Sequence, residues 1–145
     1  MSASTLPPLP HLDAVLVDTS AFYAFFDSRA EHHRRIADLL VALVHDKVRL
    51  IITNHIRAET HALILNRRGH HFADLFLSHL RAWPQGSLVF ATEADEDRAL
   101  GIIEQYRDKD FSLADAVSFA VMERLGLTQA VTLDRNFQQY GFITL

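Results

Sequence analysis

Short, unbroken apolar runs separated by stretches of helical periodicity constrain this chain more than anything else in it. Ala-Val-Leu-Val at 14–17 has no polar face, which suits a strand covered on both sides, as in a parallel sheet. Thr-Ser-Ala-Phe-Tyr-Ala-Phe-Phe then reads as a short helix, and Ile36, Leu39, Leu40 and Leu43 share one helical stripe within 32–44. Residues 48–52 suit a second strand, 56–68 a helix stopped by Gly69, and 72–80 a further helix. Residues 88–91 suit a third strand. Thr92 is placed to cap a helix reaching Tyr106, with Glu93, Asp95 and Glu96 at its positive end. Ser112 caps another, which runs to Leu125 and stops at Gly126, and 130–133 and 142–145 supply two last strands. Strand and helix alternate throughout. The expected fold is α/β: a central, mostly parallel sheet flanked by helices on both faces, built from right-handed crossovers.

Composition narrows the chemistry. A chain of 145 residues, 49% of them apolar, is enough for one core, so 14–145 is read as one domain and 1–13 as a flexible tail. No run approaches the roughly 18 apolar residues of a membrane span and no leader pattern opens the chain, so a cytoplasmic protein is expected. With no cysteine, disulfides, thiolate-bound zinc and iron-sulfur clusters are excluded, and any metal must be held by oxygen or imidazole. A net charge of −4 does not advertise nucleic-acid binding, although the 14 Lys and Arg can still gather on one face.

Four acids occupy informative positions. Asp18 and Asp134 each follow an apolar strand, where ligands bind in open parallel sheets; each is also placed to cap a helix. Glu59 lies three residues after Ile56 and four before Leu63, which puts its carboxylate on the apolar stripe, where a buried charge needs a cation, a proton or a metal. The alternative is a solvated rim position beside Arg57. Asp115, three after Ser112, suits either a capping arrangement or a carboxylate projecting beyond the sheet edge; Asp110, a loop away, is at best a helper. Three or four carboxylates with water make a credible site for Mg²⁺ or Mn²⁺, which would orient a water for attack on a phosphodiester.

Four segments carry a resemblance: Leu-Val-Asp-Thr-Ser-Ala at 16–21, Thr-Asn-His-Ile-Arg-Ala-Glu-Thr at 53–60, Phe-Ser-Leu-Ala-Asp-Ala-Val-Ser-Phe-Ala at 111–120 and Val-Thr-Leu-Asp-Arg-Asn-Phe at 131–137. In this order they resemble PIN-domain proteins, most of all the VapC-type toxin ribonucleases. The resemblance implies a divalent-metal ribonuclease, Asp18, Glu59, Asp115 and Asp134 as metal-binding catalytic acids, and an RNA substrate. It also implies an antitoxin partner and a homodimer. Ser20 and Thr132 match positions where the family often has hydroxyls that hold a metal-bound water or a carboxylate; as residues they are equally ordinary members of a turn and a strand.

Other signals are weaker. Nine histidines invite a metal site, but no His-Glu-x-x-His pair exists and adjacent histidines on a helix diverge. Arg29, Arg34, Arg35, Arg57, Arg67 and Arg68 could line an RNA path or lie on solvated faces. Phe22, Tyr23, Phe25 and Phe26 suit core or dimer contacts better than base stacking. A phosphatase with Asp18 as nucleophile would want a second Asp where Ser20 stands. A binding or regulatory module with weak or no catalysis remains the alternative from another class.

Overall fold

A computed structural model describes residues 13–82 and 86–145. Nearly all of the expected tail, 1–12, lies outside them. The elements follow in the order β1 (Ala14–Val17), α1 (Thr19–Phe26), α2 (His33–His45), β2 (Arg49–Thr53), α3 (Asn54–Arg68), α4 (His70–Ala82), β3 (Gly86–Val89), α5 (Glu93–Gln105), α6 (Leu113–Leu125), β4 (Gln129–Val131), α7 (Arg135–Tyr140) and β5 (Ile143–Thr144). The five strands form one sheet in the order β3-β2-β1-β4-β5. Every neighbouring pair is parallel, so the expected mostly parallel sheet is wholly parallel.

The order of burial follows the order of strands. Val15, Leu16 and Val17 of central β1 are fully buried, as an apolar run with no polar face requires. Helices α1 to α4 pack in sequence around α1 and α3, and α5 to α7 pack around α6, with a lighter contact between α3 and α6. The strand expected at 88–91 lies two residues earlier, because Gly86 to Val89 pair with Leu50 to Thr53. Beyond that register the backbone turns toward the α5 cap, and Phe90 is left 60% exposed.

Local chemistry sets the helix starts. Thr53 Oγ1 accepts the Ile56 N–H, so α3 begins two residues before the apolar periodicity does. Thr92 with Asp95, and Ser112 with Asp115, close reciprocal capping boxes on α5 and α6. Gly126 ends α6 at φ +70°, a left-handed conformation that a side chain disfavours.

Two clusters hold the helices in place. Phe119, on α6, stacks on Tyr140 at 4.5 Å and meets Phe137 edge-on at 5.0 Å, which fixes the short α7 against α6. At the far end of α1, buried Asp27 accepts from Arg68 at 2.6 Å, Tyr23 Oη at 2.8 Å and the Arg29 N–H at 3.0 Å. These bonds outweigh the cost of burial and hold the Asp27 carboxyl well below the usual range.

Candidate active site

β1 and β4 are neighbours, yet the chain leaves β1 toward β2 and leaves β4 toward β5. Strand order reverses between them, and an open parallel sheet forms a crevice beyond its carboxyl edge at such a point. Asp18 follows β1 there, and Thr132, Leu133 and Asp134 follow β4. The α3 and α6 segments that start beyond the same edge bring Glu59 and Asp115.

Asp18 is held by hydroxyls. Ser20 Oγ and Thr132 Oγ1 each lie 3.0 Å from Asp18 Oδ2. Ser20 Oγ also accepts the Leu133 N–H at 2.9 Å, and Thr132 Oγ1 the Asp134 N–H at 2.9 Å. A hydroxyl has one proton and two acceptor sites, so each can accept its backbone N–H and donate to Asp18, while the two hydroxyls also lie 3.3 Å apart. The clamp joins β1 to β4 and leaves the carboxylate 8% exposed. Burial pushes its pKa from 3.8 to about 6, against the opposing pull of bonds from Thr132, Thr19 and Ser20 and with a smaller push from the Asp115 charge.

The other acids surround this one. Asp115 is half-buried; its Oδ2 accepts the Ser112 N–H at 3.0 Å and Asn136 Nδ2 at 2.9 Å. Asp134 is also half-buried and caps α7, its Oδ1 accepting the Asn136 N–H at 2.9 Å. Both therefore fill the capping roles open to them in the sequence, and each keeps a second oxygen that accepts nothing among the described residues. Glu59 differs from expectation. Its helix buries Ile56, Thr60 and Ile64, and Glu59, one position off that stripe, is exposed at the mouth of the crevice. Water lost around its carboxyl raises its pKa most; the charges of Asp115 and Asp134 add to that, against a Thr19 hydrogen bond and the nearby His55.

The charge of Asp115 reaches Asp18 and Glu59, and that of Asp134 reaches Glu59, but among the described residues no three His, Asp or Glu side chains converge tightly enough to enclose a cation. An all-oxygen, mutually repelling donor set with one deeply buried carboxylate suits a hard divalent ion. Mg²⁺ in particular keeps several of its waters and is usually bound through only one or two carboxylates. Among the described residues the histidines do not gather into a set of three. His55 Nε2 pairs with Glu96 at 2.7 Å, His33 Nδ1 meets the Ala24 carbonyl oxygen at 2.8 Å, and His45 sits beside Asp46.

The six arginines do not line one path. Arg29 and Arg68 are engaged by Asp27, Arg67 lies over the Tyr23 ring and Arg57 over Phe90. Phe22 is core, and Phe25 and Phe26 are half-buried against it, as the dense aromatic run suggested. Asp110 contributes its backbone carbonyl to Asn136. Asn136 is the residue the sequence reading passed over: it ties Asp115 to Asp134, and its place two residues after Asp134 was the available signal.

Comparison with known proteins agrees with this geometry. The chain is 31% identical over 130 residues to the 23S rRNA-specific endonuclease VapC20 of Mycobacterium tuberculosis, covering 89% of this chain and 95% of that one. It is 31% identical over 126 residues to a VapC ribonuclease of Archaeoglobus fulgidus, covering 86% and 79%. The crystal structure of VapC20, described as a sarcin-ricin loop cleaving toxin, superposes with a TM-score of 0.79 at 27% identity, covering 89% of this chain and 96% of that one. The PIN domain model matches residues 15–143. With the fold and that match in agreement, this chain belongs to the PIN-domain family.

Proposed function

We propose that the protein is a divalent-metal-dependent endoribonuclease of the VapC type, the toxin of a toxin-antitoxin pair. The reading is supported by Asp18 and Asp134 following the two strands at the switch point, by the charges of Asp115 and Asp134 that reach Glu59 and of Asp115 that reaches Asp18, and by relatives named as ribonucleases. In this reading Asp18, Glu59, Asp115 and Asp134 hold Mg²⁺ or Mn²⁺. The ion supplies a nucleophilic water and stabilises the charge that develops on phosphate and leaving oxygen.

The rest of the chemistry belongs to the side chains. Ser20 and Thr132 keep Asp18 pointed into the crevice, and Asn136 keeps Asp115 turned toward Asp134. Two of these acids, Asp18 and Glu59, have raised pKa values, and carboxylates held this way favour uptake of a cation. The partner would be an antitoxin that covers the crevice, and self-association into a homodimer is part of the same reading. No helix among the described residues is long and apolar enough to cross a membrane.

Purified protein incubated with mixed RNAs, with and without Mg²⁺ or Mn²⁺, tests the reading. Cleavage should require the metal and disappear in Asp18→Asn and in Asp115→Asn. Cleavage that survives both substitutions places the activity elsewhere. An inactive wild type with every RNA and both metals favours the binding module instead.

A further inference from the structure

Beside the acids, on the β5 side of β4, lies a second recess of about 380 Å³. Thr132 and Asp134 form its inner wall, so it opens directly from the crevice. Its outer wall carries two guanidiniums, Arg35 from the first turn of α2 and Arg135 from the start of α7, together with the imidazole of His32, the residue before α2. All three are exposed. Arg35 and Arg135 make no ion pair among the described residues, and the one acid near His32 is Glu31, at 3.9 Å and itself 89% exposed. Arg29 and Arg68, by contrast, are engaged by buried Asp27. Gln138 adds an amide to the recess.

Two unpaired guanidiniums converging on a recess that shares a wall with an acidic centre call for an anion, and guanidinium fits phosphate through paired hydrogen bonds. We propose that His32, Arg35 and Arg135 form a phosphate subsite for single-stranded RNA, holding a backbone phosphate next to the scissile one. The inference rests on the ribonuclease reading above and deepens it. An acidic centre repels a polyanion unless cations flank it. In a chain of net charge −4, Arg35 and Arg135 supply such cations on a recess that Asp134 also lines. The sharing of Thr132 and Asp134 between the two walls sets the register of the strand: a phosphate seated on Arg35 and Arg135 leaves its neighbour facing Asp134.

The test is the salt dependence of RNA binding. A fluorescein-labelled, mixed-sequence single-stranded RNA is titrated in EDTA at several KCl concentrations with wild type, Arg35→Ala, Arg135→Ala and the corresponding Lys variants. Each lost phosphate contact should flatten the slope of log K against log salt by about 0.7. The Lys variants, which keep the charge, should restore the slope. With Mg²⁺ or Mn²⁺ present, the Ala variants should raise KM and leave kcat near wild type. Both side chains are exposed, so melting temperatures should not move. Unchanged slopes in both Ala variants, with wild type still binding and cleaving RNA, overturn the subsite and leave the ribonuclease reading standing. A wild type that cleaves no RNA sinks that reading and the subsite with it. Ala variants that lose affinity for a poly-glutamate peptide while binding RNA normally assign the recess to an acidic protein partner and also overturn the proposal.

Discussion

Replacing Asp18 by Asn should make the metal-free protein more stable and at the same time inactive. Burial raises the Asp18 pKa from 3.8 to about 6, so between those values the folded state holds more protons than the unfolded one. Stability then falls as pH rises through that window and levels off above it. A shift of about two units corresponds to about 3 kcal/mol of destabilisation at neutral pH. The Asn amide oxygen can still accept from Ser20 and Thr132, but its NH₂ would then face the Thr19 N–H that bonds the carboxylate, a loss of about 1 kcal/mol. The net gain is about 2 kcal/mol, or roughly 6 °C in Tm for a domain of this size. Thermal melts in EDTA at pH 7.5 and pH 4 measure it: Asp18→Asn should melt higher at pH 7.5 and lose the advantage at pH 4. Added Mg²⁺ or Mn²⁺ should raise the wild-type Tm and move the variant less. An Asp18→Asn protein no more stable than wild type in EDTA at pH 7.5 would refute the claim that this carboxylate is held at a cost until a cation arrives.

Ser20→Ala and Thr132→Ala should each lower the RNA-cleavage rate by about 10- to 100-fold, the usual effect of removing a group that orients a metal-binding carboxylate; initial rates at saturating metal check this. Asp27→Ala should cost about 3–5 kcal/mol, because Arg68 is left with its charge among half-buried groups; urea denaturation measures the loss. Because the Asp27 pKa is depressed, its contribution is present above pH ~4 and fades as the pH drops toward the folded value, so wild type and variant should converge in acid melts. Phe119→Ala should cost about 3–5 kcal/mol and should also reduce cleavage, since Phe119 fixes α7 and with it Asn136; an active variant with only a lower urea midpoint would separate packing from catalysis.

Much of the fold was legible because apolar runs such as 14–17 admit few alternatives. The capping residues Thr92 and Ser112 marked helix starts from side-chain chemistry alone. The first turn of α3 was not legible, because it depends on Thr53, a residue that also belongs to β2. The place of β3 was set by pairing with β2, which no local pattern encodes. Within the site, strand-end acids could be read from position, but the choice between an inward and a rim position for Glu59 could not: a stripe inferred from Ile56 and Leu63 misses the rotation that puts Thr60 inward and leaves Glu59 exposed. The arginines were ambiguous for a related reason. A sequence gives their number, while Asp27 decides which of them are already spoken for.

The hydroxyl clamp has a consequence for how the protein comes into being. Asp18 is made long before Thr132, which holds it and lies 114 positions later. Chains are synthesised and begin to fold from the amino terminus, but here the centre of the sheet stays open until β4 slides in beside β1. A nascent chain therefore carries its first acid without the clamp, without Asp115 and without Asn136. The finished site waits until β4 has been made and has paired with β1.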